Sequence, residues 1–116
     1  MGVAKASLES SVLYLADSLG DRRIRVNAVS AGPIKTLAAA GISGFNKILD
    51  IYEQKSAIKD NITTDDVAKV VYFLLSDYSS AITGQTIYVD NGFNIIGYWF
   101  KYSSLISTSK DSYFEI

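Results

Sequence analysis

The sequence predicts an α/β fold with two parallel strands joined by a long helical connection. Two short segments rich in β-branched residues, residues 24–30 (IRVNAVS) and 86–90 (TIYVD), are followed by glycine turns and are predicted strands. Two segments with helical spacing lie between them, and a third precedes the first strand. Strands connected in this way run parallel with a right-handed crossover. The predicted order is helix, strand, helix, helix, strand.

The composition limits the classes of function. The 116 residues, 48% of them hydrophobic, suit a single domain. Eleven Lys plus Arg against twelve Asp plus Glu leave a net charge of −1 with no run of like charge, so nucleic acid is not an expected partner. The chain has no Cys and no His, and we expect no metal site of the usual zinc kind. Proton transfer near neutral pH then requires Lys, Tyr, Asp, Glu or a cofactor.

Targeting and membrane signals are also missing from the sequence. No stretch approaches the roughly 18 consecutive apolar residues of a membrane span, and the N-terminus lacks the order of a signal peptide. We expect a soluble protein with no membrane span.

The first helix is predicted over residues 3–19. At about 100° per residue, Lys5 falls in line with an apolar stripe. The stripe consists of Leu8, Val12, Leu15, Ala16 and Leu19. Gly20 is placed to end the helix in a left-handed cap. A lysine near a helix end commonly covers apolar surface with its stem, and spacing alone favours that structural role for Lys5.

The first strand runs into a loop that contains Gly32 and Pro33. Residues 37–44, LAAAGISG, are rich in small residues and glycine, and we expect this segment to be mobile. Helical spacing resumes at Phe45, Ile48, Leu49 and Tyr52.

The last helix has the clearest start signal. Thr63 or Thr64 is its predicted N-cap, and Asp65 and Asp66 lie in the first turn, where negative charge is favourable. Its predicted buried stripe is Val67, Val70, Val71, Leu74 and Leu75. Residues 98–116 mix aromatic residues and serines without a period and are predicted to form a tail.

Two parallel strands make an incomplete sheet. Parallel sheets are normally covered on both faces, and a pair of strands leaves backbone edges unpaired. The sequence therefore predicts that a partner covers the sheet or that these residues are the back half of a larger domain.

Three stretches carry a resemblance to a known family. They are GVAKASLESSVLYLA, IRVNAVSAGPIKTLAAAGISGF and DDVAKVVYFLLSDYSSAITGQTIYVDNGFNI. They resemble the C-terminal half of short-chain dehydrogenases/reductases, specifically the NADH-dependent enoyl-acyl-carrier-protein reductases. The resemblance covers residues 1–97 and implies the C-terminal portion of a Rossmann-like doubly wound sheet, an incomplete domain, with a divergent tail at residues 98–116.

The SAGP sequence at residues 30–33 distinguishes the enoyl reductases, because most members of the superfamily have a Pro-Gly pair there. A 3-oxoacyl reductase is the weaker alternative within the superfamily. The resemblance to an enoyl reductase implies reduction of a trans-2-enoyl thioester with hydride from NADH.

Lys5 matches the family lysine that follows the catalytic tyrosine by seven residues and holds the nicotinamide ribose. The resemblance thus implies a catalytic and cofactor-binding role for Lys5. The tyrosine would lie three positions before Met1, and the glycine-rich dinucleotide turn belongs to the half of the family domain that this sequence does not match. We expect this chain by itself to be inactive, and NADH binding only in the context of a complete domain.

The resemblance also implies a nicotinamide site in the loop after the first strand. Ala31 and Pro33 would shape the site of the ring. The Ile34 backbone would pair with the carboxamide, and the Thr36 hydroxyl would reach the pyrophosphate. The alternative is an ordinary strand-to-helix turn, which needs no ligand.

The next segment resembles the substrate-binding loop of the family. Ala38 and Ala39 would line the floor beside the nicotinamide. Three apolar residues, Ile42, Phe45 and Ile48, would contact the acyl chain. The alternative for Phe45 and Ile48 is simple packing in a core.

Two departures from the family pattern stand out. Residues 55–61, KSAIKDN, lack the proline and paired basic residues of the family, which bears on docking of acyl carrier protein. Asn91 stands where glycine is usual. The implied partners are an acyl-carrier-protein-bound enoyl substrate and, for a complete domain, further copies in a homo-oligomer, a tetramer in the family. The expected location is the cytoplasm, with a plastid-type organelle as the alternative.

A second class of function stays open. The chain would be a non-catalytic truncated remnant or an interaction protein whose first helix binds a partner through Leu8, Val12 and Leu15. Stability separates the two classes, because a stand-alone module unfolds cooperatively and a half-domain is molten or aggregated.

Overall fold

The two predicted strands pair in the computed structural model of the chain, which describes residues 2–36, 39, 41 and 43–96. Strand β1 spans Ala28–Ala31 and strand β2 spans Thr86–Val89. They run parallel, with Ala28 opposite Thr86 and Ala31 opposite Val89. The predicted α/β order and the parallel pairing are confirmed.

The helices lie before β1 and between the strands. Helix α1 spans Gly2–Gly20, α2 spans Phe45–Lys55 and α3 spans Thr64–Leu75, followed by a short 3-10 helix at Asp77–Ser79. Residues 93–96, after β2, are also helical. Helix α3 packs on both strands. Among the described residues, none of the helices has the length and apolar character needed to cross a membrane.

Strand β1 begins later than predicted, because residues 25–27 meet the segment before β2 largely through side chains. The Arg25 guanidinium donates to the carbonyls of Ser76 and Ile82, and the Asn27 side chain donates to the Ile82 carbonyl at 2.9 Å and accepts from the Gln85 N–H. These bonds hold the chain extended without a regular ladder.

Helix α3 starts where the sequence predicts. Thr63 is its N-cap and forms a capping box with Asp66, in which each side chain accepts from the backbone N–H of the other. The hydrogen bonds from Thr63 lower the pKa of Asp66. Asp65 also pairs with Lys69 one turn later, with the Lys69 Nζ 2.6 Å from a carboxylate oxygen.

The predicted stripe of α3 is only partly buried. Leu74 is 9% exposed, whereas Leu75 is 80% exposed. The prediction for Leu75 was therefore wrong. Adjacent residues on a helix point about 100° apart, and α3 is covered on one side by the strands.

Helix α1 ends in a Schellman motif that is not centred on glycine. The Ile24 N–H donates to the Leu19 carbonyl and the Arg23 N–H donates to the Gly20 carbonyl at 2.8 Å. The left-handed residue is Arg23, with φ of 58°. The predicted cap at Gly20 was wrong, because Gly20 lies within the last turn.

The buried apolar side chains are few. Within the described residues they are Val12, Ala16, Ala39, Ile62 and Leu74. The predictions for Ala38, Ile42 and the tail at residues 98–116 lie outside the described residues, as do residues 37, 38, 40 and 42 of the segment expected to be mobile.

Candidate functional site

The loop after β1 begins at the carboxyl ends of the two strands. Its Gly32 N–H donates to the Val89 carbonyl at 2.9 Å, which keeps the start of the loop beside the end of β2. Ala31 is exposed, and Pro33 and Ile34 are half-buried. Ligands of open α/β sheets bind outside the carboxyl ends of the strands, so these residues occupy a position suited to a ligand.

Two polar groups of this loop are suited to binding. The Thr36 Oγ1 accepts the Ala39 N–H at 3.1 Å, which leaves the hydroxyl proton free to donate and brings Thr36 beside the buried Ala39. Within the described residues, the Ile34 N–H and C=O make no hydrogen bond. These two groups, the Ile34 peptide and the Thr36 hydroxyl, lie on either side of Lys35. They have the donors and acceptor needed to hydrogen-bond an amide and a phosphate oxygen of a ligand.

Helix α2 carries two of the predicted acyl-chain residues. Phe45 is half-buried at the first turn and Ile48 is 42% exposed. A hollow of about 410 Å³ opens between the loop, α2 and the start of α3, and Lys35 and Leu49 are among its lining residues. The hollow thus brings Lys35 of the loop close to α2, but none of the predicted site residues is among its described lining residues.

A group of four residues, which we call the carboxyl-end cluster, joins these parts: Gly32, Tyr52, Asp90 and Phe93. The Tyr52 and Phe93 rings stack with centroids 3.8 Å apart and planes 14° apart. A Cβ on Gly32 would lie 3.3 Å from Tyr52 Cε1 and 3.4 Å from Asp90 Cα, so only glycine fits there without movement. The sequence predicts that Tyr52 lies on a helix, but no local pattern predicts its contacts with Gly32 and Phe93.

Asp90 supplies the charge of the carboxyl-end cluster. Its side chain is buried and accepts the N–H groups of Gly92 and Asn94, at 3.0 and 2.8 Å, at the start of the helical residues 93–96. Burial, and then the negative charge of Asp90, raise the pKa of Tyr52. The phenol therefore stays protonated near neutral pH.

Asn91, in the turn after β2, adopts a backbone conformation that glycine occupies readily. Asn91 has φ of 52°, in the left-handed region that asparagine tolerates better than most residues. Its side chain donates to the Asp60 carbonyl at 2.9 Å, and its own carbonyl accepts the Ile58 N–H at 3.0 Å. The departure at Asn91 thus meets residues of the other departing segment, residues 55–61.

Lys5 stands apart from these contacts. It is exposed on the first turns of α1, and its ammonium group makes no hydrogen bond or ion pair within the described residues. Of its predicted stripe, Val12 and Ala16 are buried, whereas Leu8 and Leu15 are 54% and 48% exposed.

Comparison with known proteins gives a consistent result. The family model described as enoyl-(acyl carrier protein) reductase matches residues 1–94. The chain is 55% identical over 96 residues to the enoyl-acyl-carrier-protein reductase (NADPH) FabI of Staphylococcus aureus. The matched residues make up 83% of this chain and 38% of that protein. It is 54% identical over 95 residues to the NADH counterpart of Buchnera aphidicola, covering 82% of this chain and 36% of that protein.

A solved structure is similar over the same part of the chain. The Bacillus cereus enoyl-acyl carrier protein reductase, crystallised with NADP⁺ and indole naphthyridinone, is 50% identical and superposes with a TM-score of 0.79, over 84% of this chain and 38% of that one. The chain therefore spans less than two fifths of the length of the proteins it matches.

Proposed function

This chain belongs to the enoyl-(acyl carrier protein) reductase family, and on that premise we propose that it forms the nicotinamide-side loop and acyl-side helix of an enoyl reductase. The reaction is reduction of a trans-2-enoyl thioester carried by acyl carrier protein. The chain acts only together with the remaining part of the domain, because its relatives are more than twice as long as the matched region. The observation that carries the proposal is the close approach of Tyr52 of α2 to Gly32, which the Val89 carbonyl holds at the carboxyl ends of the strands.

The loop residues fit a nicotinamide dinucleotide. When bound, such a dinucleotide supplies the hydride for the β-carbon of the substrate. The Ile34 peptide group, free of hydrogen bonds within the described residues, would hold the carboxamide, and the Thr36 hydroxyl would donate to a phosphate oxygen. Ala31 and Pro33 would shape the ring site without competing polar groups. We propose NADH as the cofactor; the similar proteins carry both NADH and NADPH in their names.

Lys5 is the proposed catalytic residue of this chain. Addition of hydride leaves negative charge on the thioester oxygen, which a positioned donor must stabilise. Lys5 would hold the nicotinamide ribose and favour, through its positive charge, the tyrosine supplied by the remaining part of the domain. Its exposure in this chain is consistent with a role that needs that part for its surroundings.

The acyl chain would contact the segment that leads into α2. Ala38 and Ala39 would leave room for the flat ring and the thin chain. Ile42, Phe45 and Ile48 would supply apolar surface. We place this enzyme in the cytoplasm, acting on acyl-carrier-protein substrates and assembling with further copies once the domain is complete.

The experiment fuses the whole chain to the part of the Staphylococcus aureus relative that precedes the matched region. We expect the fusion to oxidise NADH or NADPH in the presence of a trans-2-enoyl thioester, and the chain alone to be inactive. Lys5→Met should lower the rate at least about 100-fold, the range seen for loss of one charge-stabilising donor. Lys69→Met is the matched control, because Lys69 pairs with Asp65 on the exposed side of α3, and it should leave the rate unchanged.

An inactive but folded fusion would overturn the proposal. Preference for a 3-oxoacyl thioester in the same assay would instead identify the other reductase of the superfamily. Equal losses for the two lysine variants would remove the role assigned to Lys5.

One observation favours the second candidate, a non-catalytic interaction protein. Leu8 and Leu15 leave an exposed apolar stripe on α1 that a partner helix would cover. A cooperative unfolding transition of the chain alone, together with an inactive fusion, would favour this candidate.

A further inference from the structure

Tyr52 occupies a place in α2 that links the two proposed binding surfaces. It follows Phe45 by two helical turns, so the two side chains point within about 20° of each other around the helix axis. It also follows Ile48 by one turn, a spacing at which side chains on a helix are neighbours. Whatever fixes the Tyr52 ring therefore fixes the direction in which the proposed acyl residues point.

Two contacts fix the Tyr52 ring from outside α2. The face of the ring stacks on Phe93, which lies beyond β2, with centroids 3.8 Å apart. The ring edge lies against Gly32, where a Cβ would meet Tyr52 Cε1 at 3.3 Å. Gly32 stands between Ala31 and Pro33 in the proposed nicotinamide loop, so the ring touches that loop directly.

The backbone beneath the ring is itself held firmly. The Gly32 N–H is bonded to the Val89 carbonyl, and the Asp90 carboxylate accepts two N–H groups of the turn that carries Phe93. Both surfaces that receive the Tyr52 ring thus belong to the end of the sheet. The ring is the part of α2 that meets them.

We propose that Tyr52 is a positioning residue that docks α2 on the carboxyl ends of the strands through its ring and thereby sets the acceptance of long acyl chains. The inference rests on the proposed enoyl reductase function. A short acyl chain reaches only the floor beside the nicotinamide, whereas a long chain extends to Phe45 and Ile48. Correct placement of α2 therefore matters for long substrates and little for short ones.

The first test measures hydrogen exchange in this chain as it stands. Tyr52→Leu removes the ring and should speed exchange of the α2 amides about fivefold, the effect of losing one stacked aromatic pair. Tyr52→Phe keeps the ring and should preserve the protection. Tyr72→Leu, at an exposed tyrosine of α3, is the matched control. Equal exchange in the Tyr52→Leu and Tyr72→Leu chains would overturn the docking role.

The second test uses the fusion described above, with crotonyl and dodecenoyl thioesters as substrates. Tyr52→Leu should raise KM for the dodecenoyl thioester about fivefold relative to KM for the crotonyl thioester, and Tyr52→Phe should restore the ratio. A merely destabilising change would reduce activity with both substrates together and leave this ratio constant. An active fusion with an unchanged ratio overturns the inference alone, whereas a folded parent fusion without activity overturns the proposed function and the substrate role with it.

Discussion

Helix α1 and the carboxyl-end cluster use apolar surface in opposite ways. In the cluster, a tyrosine ring is covered on its face by Phe93 and at its edge by Gly32, all within this chain. On α1, Val12 and Ala16 are buried but Leu8 and Leu15 stay about half exposed. Helix α1 approaches the segment before β2 at Gly84, where a Cβ would lie 3.5 Å from the Ala16 Cβ.

An apolar stripe therefore predicts which face of a helix is apolar but not which residues cover it. The predicted buried face of α1 is correct at Val12 and Ala16, because other residues of this chain cover these two side chains. Leu8 and Leu15 follow the same period without being covered by the described residues. The contacts of the cluster come from within this chain, whereas α1, which carries Lys5, is the element that a complementing part would cover.

Leucines of different burial on α3 provide the strongest test of this contrast. Leu74→Ala should reduce the free energy of unfolding by about 2–4 kcal/mol, because it removes a buried side chain of α3. Leu75→Ala, at the next position and 80% exposed, should cost less than about 0.5 kcal/mol. Urea unfolding of the chain, followed by circular dichroism, measures both, and a broad, non-cooperative transition would instead identify the chain as a half-domain.

Leu15→Ala in α1 extends this test to the other region. We expect a loss of less than about 1 kcal/mol, since the side chain is 48% exposed. A loss as large as that of Leu74→Ala would break the comparison, because it would mean that the α1 stripe is covered when the chain is in solution.

Two glycines with positive φ test the packing of the turn after β2. Gly92 and Gly44 both have positive φ, 76° and 80°, and alanine at either should cost about 1–2 kcal/mol of backbone strain. A Cβ on Gly92 would also lie 2.9 Å from the Ala57 Cβ, whereas a Cβ on Gly44 would meet no atom of the described residues within 4 Å. Gly92→Ala should therefore lose about 1 kcal/mol more than Gly44→Ala in the free energy of unfolding.

Removal of the Ala57 methyl group provides the control for that difference. Ala57→Gly in the Gly92→Ala background should recover the extra loss but not the strain shared with Gly44→Ala. Identical losses for the two alanine variants would mean that the turn and residues 55–61 do not pack as closely as the structure has them.

The sequence could predict the features that depend on local chemistry. Thr63 was one of two predicted caps of α3, and the capping box with Asp66 follows from residue types three positions apart. Parallel pairing of β1 and β2 followed from the helical connection between them. The family could also be identified from the sequence, because the motifs that resemble it are contiguous stretches of residues.

The features that depend on distant contacts were not predictable in this way. The Tyr52 and Phe93 rings are far apart in the chain, and no local pattern indicates that they stack. Leu75 follows the apolar period of α3 but lies beyond the side that the strands cover. The cap of α1 was misplaced for a different reason: glycine is the usual left-handed residue, and Arg23 adopts that conformation while a glycine stands three positions earlier.

The left-handed cap at Arg23 gives a weaker test of α1. Arg23→Gly should raise the free energy of unfolding by about 0.5–1 kcal/mol, because glycine at φ of 58° removes a left-handed strain of about 1–2 kcal/mol but adds entropy to the unfolded chain. Arg22→Gly, one position earlier and outside the positive φ region, gains no such relief and should be neutral or destabilising. Slower hydrogen exchange of the Ile24 amide, which closes the Schellman motif on Leu19, measures the gain locally. Faster exchange in Arg23→Gly would contradict this prediction, because it would mean that contacts of the Arg23 side chain stabilise the end of α1 by more than the backbone strain costs. Helix α1 would then be less independent of the rest of the chain than its exposed leucines indicate.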